Sequence, residues 1–246
     1  KGGNPNEDAV IRLRGISTVG ANSSPLVVVD GVIGASLNNV DPSDIETMTV
    51  LKDGSAAAIY GSRGSSGVII VTTKRGKAGT TEVAYSGSVA VASILNTIDV
   101  MSGDEFSAAG GTDLGSRTNW LDEVTRSAVT NIHNISMSGG YENTTFRLST
   151  NIRESQGILQ KSGFDQFNTR LQATTRILDD KLKINFNASY TSRDTDYGFN
   201  EALRYAVLYN PTAPVYGADS PYPYNADPYG GYFETLGLFD SFNPVS

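Results

Sequence analysis

The chain has 246 residues, of which 39% are hydrophobic, 19 are basic and 26 are acidic, and it contains no cysteine. The net charge of −7 repels phosphate and argues against a nucleic-acid partner, and the lack of cysteine excludes disulfides and thiolate metal sites. The longest aliphatic run, residues 68–71, is far shorter than the roughly 20 apolar residues of a membrane helix, whereas a membrane strand needs only about 10 alternating residues. Neither end closes a recognisable element, so we expect the chain to continue on both sides.

Residues 1–78 alternate short apolar runs with helix signals, which predicts a compact α/β unit. Asp41 is placed to cap a short helix with Pro42 at its first position, and Asp53 is placed to cap a second helix that ends at Gly61. Four apolar runs are predicted to be short strands, namely residues 10–14, 26–29, 47–51 and 67–73.

From residue 79 onward the pattern changes to strict alternation. In residues 166–177 every odd position is apolar or small and every even position is polar, which predicts a strand with one apolar face. About five such antiparallel strands of near ten residues each are predicted in residues 79–246, around 83–91, 132–141, 144–153, 166–177 and 182–191. The polar face carries basic residues that suit a hydrated lumen, namely Arg147, Arg153, Arg170, Arg176 and Lys183.

Connection lengths favour a membrane barrel over a soluble sheet. Tight turns are predicted at 141–143 and 178–181, and longer connections at 92–131, at 154–165 and after 193. Short turns that alternate with long loops are typical of outer-membrane barrels, in which strands 1, 3 and 5 would then run outward. A soluble antiparallel sheet also alternates, but its strands usually have about five or six residues. The predicted fold class is therefore an α+β domain followed by antiparallel transmembrane strands of a partial barrel.

Three stretches of the first unit resemble the plug domain of TonB-dependent outer-membrane transporters, specifically the SusC/RagA-like branch. They are IRLRG at 11–15, PLVVVDGV at 25–32, and the run from DPSDIE at 41–46 through VLKDGSAAAIYGSRG at 50–64 to GVIIVTTK at 67–74. HNISMSGG at 133–140 is also similar to the family. The resemblance divides the chain into a plug domain, 1–78, whose beginning is missing, and the first part of a barrel with long extracellular loops, 79–246.

The resemblance implies active import across the outer membrane. The family's pore has about 22 strands around a plug that lies in the lumen, and energy comes from the TonB–ExbB–ExbD complex. It also implies a SusD-like surface lipoprotein partner and glycan or peptide cargo, with no cofactor and no enzymatic activity. The residue patterns leave open a soluble or surface-attached carbohydrate-binding β-protein without transport, and more distantly a hydrolase.

Few residues stand out as candidate sites. Arg63 lies in the turn after the second predicted helix and is a candidate for an ion pair between plug and barrel, because a buried guanidinium needs a carboxylate partner. Glu46 and Arg14 are further candidates for this contact, and a solvated loop arginine is the alternative for Arg63. His133 has no adjacent nucleophile, so no catalytic residue and no metal ligand is expected.

Tyrosine and proline concentrate in the last fifty residues. Aromatic rings pack on sugars or peptides at low entropic cost, so an extracellular contact with cargo or partner is predicted for several of these rings. Aromatic rings that only pack the loop on itself are the alternative. The candidates are Tyr197, Tyr205, Tyr209, Tyr222 and Tyr224.

Overall fold

The computed structural model describes residues 4–7, 11–13, 24–52, 59–199 and 201–216. These residues form two sheets, a small one in the first 78 residues and a large one after them. We call residues 24–52 and 59–74 the N-terminal unit, and the five long strands the large sheet.

The N-terminal unit contains a four-stranded mixed sheet with the order β2-β1-β4-β3. β1 runs parallel to β4, and β4 runs antiparallel to β3. Its strands are β1 (Leu26–Val29), β2 (Val32–Ile33), β3 (Ile45–Leu51) and β4 (Val68–Thr73). Short 3-10 helices span Leu37–Asn39, Pro42–Asp44 and Gly61–Gly64.

The two central strands carry the core of this unit. Val68 and Val71 of β4 are fully buried, and Val28 and Val29 of β1 are nearly so. Burying each such side chain contributes about 1.5–3 kcal/mol. Because β-branched residues suit a strand that is covered on both faces, the apolar runs of the sequence become the two middle strands.

A two-residue turn, Asp30-Gly31, joins β1 to β2. Both residues have positive φ, +49° for Asp30 and +89° for Gly31, and Val29 pairs with Val32 across the turn. This is the type I′ geometry that matches the twist of a hairpin and that Asp-Gly sequences favour. The turn fixes the direction of the Asp30 side chain at the end of β1.

Two predictions for the N-terminal unit need correction. Residues 11–13, the described part of the strand predicted at 10–14, are not in a strand. The Ile11 side chain instead packs on the buried cluster of Val29, Val40 and Val71. This residue therefore contributes to the core without pairing its backbone with a strand. The helix predicted to begin at Asp41 is only one 3-10 turn, although Asp41 caps it as expected, and β3 starts directly after it at Ile45.

The predicted second helix is described only at its end. Residues 59 and 60 are helical, and Gly61 follows with a φ of +65°. A glycine in the left-handed region is the common way to end a helix. Asp53, the predicted cap, lies outside the described residues.

The large sheet is an antiparallel meander with the order β5-β6-β7-β8-β9. Its strands have 13 to 16 residues each, which is more than twice the usual length in soluble sheets. They are β5 (Gly79–Ala92), β6 (Ala128–Tyr141), β7 (Thr144–Gln156), β8 (Ser162–Ile177) and β9 (Leu182–Tyr197). The five predicted strands are confirmed, and each one is longer than predicted.

One predicted long loop is wrong. β7 and β8 pair continuously up to Gln156 and Gly163, so their connection comprises only residues 157–161 and not 154–165. Beyond Arg153 the residues of β7 on both faces are polar, so this strand continues where its alternation of hydrophobicity has ended. The connections at 142–143 and 178–181 are tight, as predicted.

The two faces of the large sheet differ in chemistry as the alternation predicted. The inner face, which we define as the face that contacts the N-terminal unit, carries Gln166, Asn168, Arg170 and Gln172 of β8, all buried or half-buried. The outer face carries exposed apolar side chains, among them Val83, Val89, Ile135, Leu171, Ile184 and Phe186.

The long connections gather at one end of the large sheet. Residues 93–127 contain α1 (Gly103–Ala108) and α2 (Trp120–Val124), and α3 (Ala202–Leu208) follows β9. Ser102 and Glu105 form a reciprocal capping box at the start of α1. None of the described helices has the length and apolar character to cross a membrane.

Candidate functional site

The N-terminal unit is attached to the large sheet by a carboxylate at the tip of its β1–β2 hairpin. Asp30 accepts hydrogen bonds from the Thr73 backbone N–H (2.9 Å) and hydroxyl (2.7 Å) within the unit, and from Arg170 Nη1 (3.2 Å) and Gln172 Nε2 (3.3 Å) of β8. The side chains of Asp30 and Arg170 are 3% and 14% exposed. Their opposite charges therefore interact in a largely dry contact, where charge-assisted hydrogen bonds are strong.

A second carboxylate makes an equivalent contact with β7. Asp44 accepts from Arg147 Nη2 (3.2 Å) and from the Ser149 hydroxyl (2.7 Å). The 3-10 turn positions it, because the Asp41 side chain caps Ser43 N–H at 2.8 Å and the Asp44 carbonyl accepts Lys74 N–H at 2.8 Å. Two ion pairs of the same polarity, with the acid on the unit and the arginine on the sheet, hold the two parts together.

Two neutral contacts complete this attachment. Gln166 Nε2 of β8 donates to the Asn38 carbonyl at 2.8 Å. In the segment that follows β4, a Cβ added to Gly76 would overlap the carbonyl of Phe146 in β7. The chain thus passes against the backbone of the sheet just before it enters β5, at a point where only glycine fits.

A ladder of amides crosses the inner face beside the ion pairs. Asn134, Asn151 and Asn168 lie in register on β6, β7 and β8. Asn168 donates to Asn151, and Asn151 donates to Asn134. The Asn168 Oδ1, Gln172 Oε1 and Arg153 Nε atoms are buried without a protein partner, and such atoms in a polar interface are satisfied by water.

The residues predicted to link the two parts lie elsewhere or outside the described ranges. Arg63 and Glu46 are exposed, and neither is hydrogen-bonded or ion-paired to the described strands of the large sheet. Arg14 lies outside the described residues. A contact of these three side chains with another part of a barrel stays a prediction. Asp30 and Asp44, which make the contact here, were not predicted.

A sequence signal for the two carboxylates existed. Arg147 and Arg170 were predicted to lie on the polar face of their strands, and a guanidinium in an enclosed lumen requires an acidic partner. Asp30 and Asp44 each end a short apolar or capped segment of the N-terminal unit, which is where a side chain can project toward a second surface. Asp30 also has a local role as a turn residue, and Asp44 has one as an acid at a helix terminus. These roles account for the two aspartates without an arginine partner on the large sheet.

The loops at one end of the large sheet fold together. Trp120 is 2% exposed, its ring meets Tyr209 edge-on with 4.9 Å between centroids, and its Nε1 donates to the Asn210 carbonyl at 2.9 Å. The Thr212 hydroxyl donates to the Thr112 carbonyl at 3.0 Å, which ties the segment after α3 to the segment before α2. Arg126 adds a tie to the β7–β8 connection by donating to the Gly157 carbonyl.

The predicted contact tyrosines differ in how far this packing buries them. Tyr209 is 3% exposed and belongs to the core of the loops, so its ring has no free surface for cargo. Tyr197 is 65% exposed at the end of β9, and Tyr205 is half-buried on α3 near Phe199. Tyr222 and Tyr224 lie outside the described residues. A cargo contact at Tyr197 or Tyr205 stays a prediction.

We expect Trp120→Ala to destabilise the loop cluster by about 3–5 kcal/mol, because it leaves a cavity and removes a buried hydrogen bond. Limited proteolysis of the full-length protein should show faster cleavage in residues 93–127. Leu95→Ala is the matched control, because Leu95 is 92% exposed in the same loop. Equal cleavage of the two variants would show that the Trp120 contacts do not hold the loops.

An exposed ion pair orders the turn before α2. Arg117 donates to both carboxylate oxygens of Asp113 at 3.0 Å and to Asp104 at 2.7 Å. The hydrogen bond from Arg117, supported by the Gly115 N–H, lowers the pKa of Asp113 from 3.8 to about 2. A lowered pKa stabilises the folded loop above the unfolded value, and this contribution disappears as the pH falls through the folded value.

We therefore expect the Asp113 carboxylate to remain ionised down to about pH 2. Carbon NMR of the labelled carboxyl group should show its titration there in the native protein. In Arg117→Gln the pKa should rise toward its ordinary range. An unchanged titration in this variant would assign the shift to the Gly115 contact alone.

Within the described ranges, no group of three or more histidine, aspartate or glutamate side chains could hold a metal ion. The described contact between the two parts consists of ion pairs and hydrogen bonds of amide and hydroxyl groups. Because ion pairs and hydrogen bonds can break and form again, such contacts can hold the N-terminal unit on the large sheet reversibly.

Comparisons with known proteins agree with this architecture. The family model described as TonB-dependent Receptor Plug Domain matches residues 1–68. TonB-dependent receptor SusC of Bacteroides thetaiotaomicron is 38% identical in an alignment that covers 98% of this chain and 26% of that protein. TonB-dependent receptor P3 of Formosa agariphila is 32% identical, with 92% of this chain and 24% of that protein covered.

A solved structure is similar in both parts. The RagAB peptide importer in its closed-closed state aligns with a TM-score of 0.71 and 27% identity, over 80% of this chain and 27% of that chain. The chain thus spans about a quarter of the length of these relatives. With a plug-type unit seated on a long-stranded antiparallel sheet, the chain belongs to the SusC/RagA-like TonB-dependent receptors.

Proposed function

We propose that the receptor that contains this chain imports an oligomeric nutrient, a glycan or a peptide, across the outer membrane. The N-terminal unit acts as the plug of its pore, and the large sheet is part of the wall. The observation that carries the proposal is the pair of buried contacts, Asp30 with Arg170 and Asp44 with Arg147, which seat the plug on the polar face of the strands.

The strength of these contacts suits a gate that opens only when work is done on it. Removing one partner of a buried pair costs about 3–5 kcal/mol, because the other charge stays desolvated. Two such pairs keep a plug closed against thermal motion, yet both reform when the plug returns. The proposal includes the TonB–ExbB–ExbD complex as the source of this work.

The outer face of the large sheet supports a position in a membrane. On β9 the outward residues from Leu182 to Tyr190 are apolar and exposed, and Ser192, Asp194 and Asp196 follow them. Nine residues is within the roughly 9–11 residues with which a tilted strand crosses the apolar band of an outer membrane. The change from apolar to acidic residues marks where we place the membrane surface.

The end of the sheet beyond this surface carries the folded loops, and we place it outside the cell. A SusD-like lipoprotein is the proposed partner there, since the RagAB importer is similar to this chain. Exposed apolar side chains on these loops, such as Ile98 and Met101 at 61% and 59% exposure, offer surface for contacts of the complete assembly.

Uptake of labelled oligomers by cells tests the proposal. The full-length receptor and its lipoprotein are expressed in cells with and without functional TonB, and radiolabelled glycans and peptides are supplied outside. We expect accumulation inside the cell only when TonB is active. Surface binding with no TonB-dependent accumulation of any oligomer would overturn the proposal and favour a carbohydrate-binding protein without transport.

A further inference from the structure

The plug is attached to the wall unevenly. Every hydrogen bond and ion pair found between residues 24–52 or 59–74 and the described strands of the large sheet ends on β7 or β8, and further upstream Asn6 donates to the Asp196 carbonyl of β9 at 2.6 Å. The wall partners are Arg147 and Ser149 on β7, and Gln166, Arg170 and Gln172 on β8. Within the described ranges, no such bond joins the unit to β5 or β6.

A cavity of about 150 Å³ borders the contact of Asp44 with Arg147 and Ser149 and extends toward β5 and β6, where such bonds are lacking among the described residues. On the plug side it is lined by Ser43, Asp44 and Lys74. On the wall side it is lined mainly by short polar residues of β5, β6 and β7, namely Ser86, Asn134, Ser136, Ser149 and Asn151. Its volume is enough for several water molecules, so the described residues of the plug do not pack tightly on the wall here.

The size of the inner side chains contributes to the difference. Facing inward, β5 carries Ala84, Ser86, Ser88 and Ala90 after Glu82, and β6 carries Ser136 and Ser138 beside Asn134 and Ile132. The inward residues of β7 and β8 include the long side chains of Arg147, Arg153, Gln166, Arg170 and Gln172. Four of the five wall partners found among the described residues are arginine or glutamine, and the short Ser149 bonds only to Asp44, at 2.7 Å.

We propose that the path for cargo opens along the inner face of β5 and β6, while β7 and β8 remain the seat of the plug. This inference rests on the proposed import function and adds where in the pore the cargo passes. When the plug moves, it separates most easily from β5 and β6, because none of the bonds described above has to break there. The cavity then widens without the cost of leaving Arg147 or Arg170 unpaired.

The lining of this path also indicates what it accepts. Hydroxyl and amide groups of Ser86, Ser136 and Asn134 donate and accept hydrogen bonds, and Lys74 adds a positive charge. Such a surface exchanges hydrogen bonds with hydroxyl-rich or amide-rich chains at little cost as they move past. It offers an apolar solute no comparable contact, so the path favours polar oligomers.

The lack of cysteine allows a direct test with single cysteines. Ser136→Cys and Ser86→Cys place a thiol on the proposed path, and Asn168→Cys places one under the plug on β8, where Asn168 is 8% exposed. Cells that express each full-length variant are treated with a bulky, membrane-impermeant thiol reagent during TonB-driven uptake and without it. The rate of modification, and uptake by the same variant before and after modification, are measured.

At positions 86 and 136 we expect modification to become at least about tenfold faster during uptake, as the population of the open path rises by that factor. The adduct should then block uptake. The thiol at position 168 should react slowly in both conditions. The proposed path would be contradicted if the thiol at position 168 reacted as fast as those at 86 and 136 or faster. It would also be contradicted if modification at position 136 left uptake undiminished.

The two proposals fail in different ways. If the unmodified wild-type receptor shows no TonB-dependent uptake, the import function fails. If wild-type uptake is present but the pattern of modification is reversed, only the route fails. Should Ser136→Cys not reach the membrane, Ser86→Cys carries the same prediction from the neighbouring strand.

Discussion

Asp30→Asn is expected to loosen the plug and to raise the resting ion conductance of the full-length receptor. Asparagine tolerates the φ of +49° that the turn requires, so the substitution removes the charge and leaves the hairpin intact. Arg170, 14% exposed, then lacks its counter-charge, at a cost of about 3–5 kcal/mol. Planar-bilayer recordings of the purified receptor should show more frequent or longer openings than the wild type.

A control and a double variant isolate the ion pair. Asp165→Asn removes a charge from the exposed outer face of β8, the strand that carries Arg170, and should leave conductance unchanged. Asp30→Asn combined with Arg170→Gln should leak less than the sum of the two single variants, because no unpaired charge remains. Strictly additive effects would show that the two side chains do not act as a pair.

Gly76→Val is expected to prevent the plug from seating at its connection to β5. A side chain at this position would overlap backbone atoms of Phe146, and a strand backbone cannot yield as a flexible side chain does. Overpacking of this kind costs about 1–3 kcal/mol or more. We expect a constitutive leak and faster proteolysis of residues 74–78 in the purified receptor.

Lys77→Ala is the matched control for this variant. Lys77 is exposed one residue further along the same connection, so its loss should change neither conductance nor proteolysis. If the Gly76→Val receptor has the same conductance and the same resistance to proteolysis as the control, a side chain at position 76 does not clash with β7.

Alternation identified the strands of the large sheet but not their ends. The faces of β8 and β9 were correctly predicted within 166–177 and 182–191, because there the inward side chains are polar and the outward ones are apolar or threonine. At Glu154 and Asp165 the outward residues become acidic, yet the two strands still pair there. Backbone pairing does not depend on hydrophobicity, so a hydrophobic pattern stops where the apolar environment stops and not where the strand stops.

The plug contact was only half visible in the sequence. The inward arginines Arg147 and Arg170 followed from strand periodicity, since each is one position from an apolar outward neighbour. Their partners followed from no local rule, because Asp30 is 140 residues from Arg170 and Asp44 is 103 residues from Arg147. Each aspartate had a sufficient local explanation, and local explanations contain no information on the surface that a domain will meet.

The sequence by itself determined the two kinds of sheet in this protein. Continuous β-branched runs make strands that are buried on both faces, and strict alternation makes long strands with one polar and one apolar face. Only the tertiary structure decided which acids meet which arginines, which tyrosines are buried, and on which side of the plug a gap remains. These outcomes depend on the reach of side chains between surfaces far apart in the chain, and periodicity along one strand does not encode that reach.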